Sequence, residues 1–156
     1  MVRAKTYHRN FFEQRNHQYM IFVDTNVVMY AVGRSHPLKA EARKFFESSM
    51  ENPATPLCTS AEVLQELMHA YVSVDRSHTL DSAFTLIKAC IPTIWDVTVD
   101  DVLVAKLLID VRRELGARDL LHLAMCERRH VKKIKTFDRA LKAAFDSRSP
   151  KKTTGG

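Results

Sequence analysis

The chain has 156 residues, 46% of them hydrophobic, with four glycines, five prolines and a formal charge of +6. That supports one hydrophobic core, is too short for two ordinary domains, and excludes low-complexity and collagen-like chains. No apolar run approaches the ~20 residues of a membrane span, and the basic start lacks the apolar segment of a secretory leader, so the expectation is a water-soluble protein of the cytoplasm. Cys58, Cys90 and Cys126 are far apart and form no C-x-x-C pair. They read as reduced thiols in apolar surroundings, not as zinc ligands or a disulfide framework. The basic balance favours a polyanionic partner, because lysine and arginine gain from displacing counterions off phosphates.

In chain order, residues 1 to 19 are a basic N-terminal extension with scattered aromatic residues, residues 20 to 146 a single domain, and residues 147 to 156 a flexible tail. Ile21-Phe22-Val23 is a short apolar strand that stops on Asp24-Thr25-Asn26. Thr25 is expected to cap a helix that Gly33 ends in the left-handed conformation. Pro37 opens a second helix, to about Met50, with Leu38, Ala42, Phe45 and Phe46 at helical spacing. Leu57-Cys58-Thr59 suits a buried strand. Leu64, Leu67, Met68 and Tyr71 then mark a helix to about Val72, and Leu80, Ala83, Phe84 and Ile87 another over 79–89. Ile94 to Val99 reads as a strand. Asp100-Asp101 opens a helix whose apolar face is Val104, Leu107, Leu108 and Val111, and a further helix covers Asp119 to His130. Lys133 to Thr136 is the last strand and Arg139 to Phe145 the last helix. Strands alternating with helices imply a three-layer α/β/α sandwich around a small parallel sheet of four or five strands. In such sheets ligands bind beyond the carboxyl ends of the strands, where strand order reverses.

That rule makes the acidic residues informative. Asp24 and Asp138 each follow a strand, and each fits two roles equally, helix cap or ligand donor. Glu62 and Glu66 lie one helical turn apart. Thr59-Ser60-Ala61-Glu62 matches a capping box, which accounts for Glu62 and leaves Glu66 unexplained at the edge of an apolar stripe. Asp119 opens a helix, with His122 one turn on as a packed, hydrogen-bonded side chain. Convergent carboxylates raise one another's pKa values unless a cation joins them. Oxygen donors select Mg²⁺ or Mn²⁺, which suits hydrolysis of a phosphodiester by water without a covalent nucleophile. Asp100 and Asp101 are assigned to the helix start, outside the site. The basic run containing Arg128, Arg129, Lys132, Lys133 and Lys135 has two readings, a guide for a nucleic-acid backbone toward the acids and a solvated helix end, where cations are favoured.

On these residues the chain resembles the PIN-domain ribonucleases, and within them the VapC-type toxins of toxin–antitoxin pairs. The resemblance spans roughly Met20 to Phe145. It rests on the strand ending in Asp24-Thr25-Asn26, on Ser60-Ala61-Glu62-Val63-Leu64-Gln65-Glu66-Leu67, on Arg118-Asp119-Leu120-Leu121-His122-Leu123-Ala124, and on Thr136-Phe137-Asp138. It implies a Mg²⁺- or Mn²⁺-dependent endoribonuclease whose catalytic and metal-binding acids are Asp24, Glu66, Asp119 and Asp138. Asn26 and Thr136 stand behind them. It also implies an RNA substrate, a homodimer and a cognate antitoxin. The family begins close to its first strand and carries a final edge strand, and this chain has 19 extra residues and no evident strand after Asp138. Two other classes compete: a phosphatase with Asp24 as nucleophile, disfavoured because Asn26 stands where a second acid is wanted, and a catalytically silent nucleic-acid- or partner-binding module. With Asp24 taken as a metal donor, capping of the first helix falls to Thr25.

Overall fold

A computed structural model describes residues 19–148, so most of the expected N-terminal extension and tail lies outside the described residues. Of the tail, Ser147 and Arg148 are described. Arg148 is tied down, donating to Val131 O at 2.7 Å and Phe145 O at 2.9 Å.

Four parallel strands form the sheet: β1 (Ile21–Val23), β2 (Leu57–Ser60), β3 (Thr93–Trp95) and β4 (Lys133–Lys135), in the order β3-β2-β1-β4. Among the described residues seven helices connect and cover them: α1 (Thr25–Val32), α2 (Lys39–Glu51), α3 (Ala61–Val72), α4 (Ser77–Cys90), α5 (Val99–Leu108), α6 (Ala117–Arg128) and α7 (Arg139–Asp146). Helices α1 to α4 pack among themselves, while α5 and α7 both pack on α6. This is the expected three-layer arrangement. β1 runs between two neighbours and is buried from Phe22 onward because both of its faces are covered. Phe22, Val23, Val27, Val28, Leu67, Leu123 and Leu141 are at most 0% exposed and form the centre of the core. Strand order reverses between β1 and β4, so the residues that follow these two strands, Asp24 and Asp138, flank the switch point.

Several local expectations need correction. Asp24, not Thr25, is the N-cap of α1; it is extended (φ −77°, ψ 157°) and accepts the Thr25 N–H. Gly33 ends α1 at φ −74°, outside the left-handed region. It is needed for another reason: a Cβ there would stand 2.6 Å from the Met29 carbonyl oxygen. The Thr59/Glu62 capping box does not form. The N-cap of α3 is Ser60, with no side-chain capping bond, and Thr59 Oγ1 donates instead to Val23 O at 2.9 Å, pinning β2 to β1. Helix α3 buries Val63, Leu67 and Tyr71, with Met68 48% exposed, so its inward face is rotated from the expected stripe. Strand β3 ends at Trp95. Thr98, expected to be strand, is the N-cap of α5 and makes a reciprocal capping box with Asp101.

Helix α5 departs furthest from expectation. It buries Asp101 and Ala105, whereas Leu107 and Val111, expected inside, are 76% and 68% exposed. The carboxylate can face inward because Arg128 and Arg129 meet it, at 2.5 and 2.8 Å. Burial alone would raise the Asp101 pKa, but the Arg129 and Arg128 hydrogen bonds and the Thr98 N–H hold it well below the usual carboxylate range. Arg129 also lies over the Trp95 ring, 4.9 Å from its centroid. The cluster fastens α6 to β3 and the start of α5.

Candidate active site

The site is built at the carboxyl ends of β1, β2 and β4. Hydrogen bonds from Asp24 N to Lys135 O and from Thr59 Oγ1 to Val23 O, at 3.0 and 2.9 Å, hold β1 to both neighbours at the residue where it ends. Asp24 is 5% exposed. Its Oδ1 accepts the Thr25 N–H at 2.7 Å and its Oδ2 the Thr136 hydroxyl at 2.6 Å. Burial pushes its pKa up, assisted by the charge of Glu66, and outweighs the opposing effects of His122, Thr136 and Thr25.

Glu66 reaches the same place from α3. It follows the fully buried Val63 by three residues, so it shares the helix face turned to the core. Thr25 Oγ1 donates to Glu66 Oε2 at 2.7 Å, and His122 Nε2 lies 2.9 Å from Oε1. Burial works against the charge, but the hydrogen bond and charge of His122, the Thr25 hydroxyl and the Arg118 guanidinium hold Glu66 below its ordinary pKa. Thr25 therefore ties two carboxylates together, its N–H on Asp24 and its hydroxyl on Glu66.

Helix α6 carries Asp119 and His122. It begins at Ala117 after Gly116, so Asp119 is its third residue and not its cap, contrary to the expectation that it opens the helix. No described donor meets Asp119. Burial, then the charges of Asp24 and Asp138, with a further contribution from Glu66, raise its pKa to about 6 despite His122. Asp119 thus feels the charge of each of the other three expected acids. Asp138 does cap a helix, its Oδ1 accepting the Leu141 N–H at 2.8 Å, which leaves Oδ2 without a described donor. Asn26 and Thr136 stand behind the acids. Asn26 Nδ2 donates to Thr136 Oγ1 at 3.3 Å, Asn26 Oδ1 accepts the Phe137 N–H at 3.1 Å, and Thr136 bonds Asp24.

Two members of this site were not among the expected functional residues. Thr25 was expected to cap α1. His122 was expected to be packed and hydrogen-bonded, which it is, but its partner is Glu66, with Asp24 Oδ1 at 3.7 Å. The ring is 0% exposed, and its Nδ1 has no partner among the described residues. Burial would lower its pKa, but the Glu66 hydrogen bond and the charges of Asp24, Glu66 and Asp119 raise it, so the acids favour the protonated ring. The available signal was its spacing: His122 follows Asp119 by three residues and so shares its helix face.

The basic run does not act as one face. Arg128 and Arg129 are spent on Asp101. Lys135 pairs with Glu41 at 2.8 Å and lies 4.7 Å from the centroid of the Phe137 ring. Lys132 and Lys133 are exposed and carry no ion pair among the described residues. Lys133 is in register with Ile21 at the start of β1, the sheet edge opposite Asp24.

The donor set tests well against a hard divalent cation: four carboxylates, no thiolate, and mutual repulsion that raises Asp119. Among the described residues no three His, Cys, Asp or Glu side chains are drawn close enough to bind an ion without adjustment. Asp24 and Glu66 are instead turned onto protein donors. The thiols stand apart. Burial pushes Cys126 up to about 12 and Cys58 higher still, as expected of inert, reduced cysteines.

The PIN domain family model matches residues 21–145. Ribonuclease VapC23 of Mycobacterium tuberculosis (strain CDC 1551 / Oshkosh) is 58% identical over 128 residues, covering 82% of this chain and 100% of the relative. Ribonuclease VapC13 of Mycobacterium tuberculosis (strain ATCC 25618 / H37Rv) is 37% identical over 128 residues, 82% of this chain and 94% of that protein. Among solved structures, Mycobacterium tuberculosis VapC20, described as a Sarcin-Ricin loop cleaving toxin, superposes with a TM-score of 0.63 at 20% identity, covering 80% of this chain and 94% of that one. VapBC2 from Rickettsia felis, bound to a promoter DNA fragment, gives 0.61 at 16% identity, covering 80% and 92%. With the fold, the switch-point acids and these similarities in agreement, the chain belongs to the PIN-domain family, in its VapC ribonuclease group.

Proposed function

We propose that this protein is the endoribonuclease toxin of a toxin–antitoxin pair and hydrolyses RNA phosphodiester bonds with Mg²⁺ or Mn²⁺ held by Asp24, Glu66, Asp119 and Asp138. The observation that carries the reading is the electrostatics of Asp119, whose carboxyl is pushed up to about 6 by burial and by three neighbouring carboxylates. Like charges gathered at a ligand-binding edge call for a cation. When bound, such an ion supplies Lewis-acid stabilisation of the phosphate and eases deprotonation of the attacking water. The protein's own contribution is positioning. Thr136 and the Thr25 N–H fix Asp24, while the Thr25 hydroxyl and His122 fix Glu66. Asp119, with no described donor on either oxygen, is free to take up a cation or a proton from the attacking water.

The N-terminal extension, the single domain over 20–146 and the tail remain our division of the chain. Lys132 and Lys133 are the members of the basic run left free for RNA phosphates. We place its action in the cytoplasm, where the RNA substrate is; no helix among the described residues is long and apolar enough to cross a membrane. The outer face of α5, with Leu103 and Leu107 53% and 76% exposed, supports a homodimer. An open groove of about 780 Å³ between α1, α2 and α4, lined by Ala31, Phe46, Met50 and Leu86 among others, suits a cognate antitoxin segment.

The test is cleavage of single-stranded and structured RNA with Mg²⁺, Mn²⁺ or EDTA. Cleavage should require the ion and should vanish in Asp24→Asn and Asp119→Asn; activity in EDTA, or in both variants, refutes the mechanism.

A further inference from the structure

Beside the carboxylates lies a cluster of three rings whose outermost member is not explained by core packing. Thr136 Oγ1 bonds Asp24, Asn26 bonds both Thr136 and the Phe137 N–H, and so Phe137 is fixed to the frame of the site. Tyr30, one helical turn beyond Asn26, meets Phe137 edge to face, with ring centroids 5.4 Å apart and planes at 76°. His36 stacks on Tyr30 at 4.3 Å and 27°. Tyr30 and Phe137 are half-buried and have a sufficient role in packing, whereas His36 is exposed.

An exposed imidazole ordinarily samples several rotamers, and holding it in one costs entropy. Here it is held twice, by the stack on Tyr30 and by the Leu38 N–H, which donates to its Nδ1 at 3.1 Å. With Nδ1 an acceptor, the proton of the neutral ring sits on Nε2, free to donate. No described ring or cation covers the second face of the imidazole. A ring fixed in orientation with one face open is what single-stranded RNA recognition uses, since every base offers a π-face for stacking. Arg34, two residues before His36, is exposed, and Lys135, which pairs with Glu41, lies over the Phe137 ring.

We propose that His36, stacked on Tyr30, is a platform for one unpaired base of the RNA strand near the scissile bond. It deepens the ribonuclease reading above and rests on it. The platform is joined to the carboxylates through Phe137 and Asn26, so it sets which nucleotide, counted from the cleaved bond, must be unpaired.

The experiment uses the full chain with Mn²⁺ and a short single-stranded oligoribonucleotide, intact or with one abasic position at a time, for wild type, His36→Ala and His36→Trp. Melting curves check that each variant is folded. His36→Ala should raise KM about tenfold with kcat nearly unchanged, and His36→Trp should restore KM. One abasic position should raise KM similarly in wild type and add nothing further in His36→Ala. A wild-type KM in His36→Ala, or abasic effects that simply multiply with it at every position, overturns the proposal. Absence of cleavage by wild type would instead sink the ribonuclease reading. The platform would then still be decided by 2-aminopurine oligonucleotide binding, with fluorescence quenching by wild type and none by His36→Ala expected, and equal quenching by both overturning it.

Discussion

Asp119→Asn should stabilise the metal-free protein while destroying its activity. The unfolded-state value is 3.8 and the folded value about 6, so the folded protein binds protons more readily. Above pH 6 the carboxylate is charged in both states and opposes folding. For a fully buried group the difference corresponds to about 3 kcal/mol. Asp119 is only half-buried, and screening by water leaves about 1.5 kcal/mol. Loss of a first-turn acid from the positive end of α6 takes back about 0.5 kcal/mol, so the net gain is about 1 kcal/mol, or roughly 3–5 °C in Tm. Thermal unfolding followed by circular dichroism at pH 7.5 in EDTA measures it. The sign separates the two accounts of this residue, because a purely structural acid at a helix start would lower Tm when removed. Wild type should also gain stability in EDTA as pH falls from about 6 toward 4.5, with Asp24, whose pKa is likewise raised, acting in the same direction. Above pH 4.5, the ordinary value of Glu66, its lowered pKa does not yet oppose the trend. Saturating Mn²⁺ should raise the Tm of wild type and much less that of the variant. A lower Tm for Asp119→Asn in EDTA, or equal Mn²⁺ shifts for both proteins, refutes the reasoning.

Asp101→Ala strands two guanidinium groups beside β3 and should cost about 3–5 kcal/mol, measured by denaturant unfolding; a loss under 1 kcal/mol would mean that the pair contributes little. Glu62→Gln should leave Tm unchanged within the ~0.5 kcal/mol typical of surface positions, since its capping box is not made, and a clear loss would restore the box. Leu103→Lys with Leu107→Lys should convert a dimer to a folded monomer by light scattering, and an unchanged mass with both lysines present would remove α5 from the interface.

The order of strands and helices was legible because Gly and Pro punctuate it and each apolar run is short. What failed was phase. Val63 and Met68 are both apolar, and composition does not say which faces the core; the structure buries Val63, and Glu66, one turn on, meets Thr25 and His122. Glu66, not Glu62, is the acid that meets Thr25 and His122, whereas the capping box that set Glu62 aside does not form. In α5 an acid occupies the inward face and leucines the outward one. No period-based reading finds that, because it depends on arginines of α6 that reach Asp101 only once the fold has formed. His122 was hidden for the same reason: its partners lie on α3 and at the end of β1.

These long-range partners explain how the chain tolerates its own carboxylates. Asp24 receives a hydroxyl and a backbone N–H, Glu66 receives a hydroxyl and an imidazole, and Asp138 receives the N–H of Leu141. Asp119 alone among the four receives no described donor, and it is the one whose pKa rises to about 6. The repulsion is thus not shared evenly but concentrated on one side chain. His122, whose own pKa the acids raise, opposes the rise at Asp119, and its buried Nδ1 has no partner among the described residues. Replacing His122 by Asn, which can still donate to Glu66 but brings no positive charge, should therefore push Asp119 higher still. The metal-free protein would then lose stability at neutral pH and regain part of it in acid. An unchanged pH profile of Tm would mean that the ring serves only as a hydrogen-bond donor.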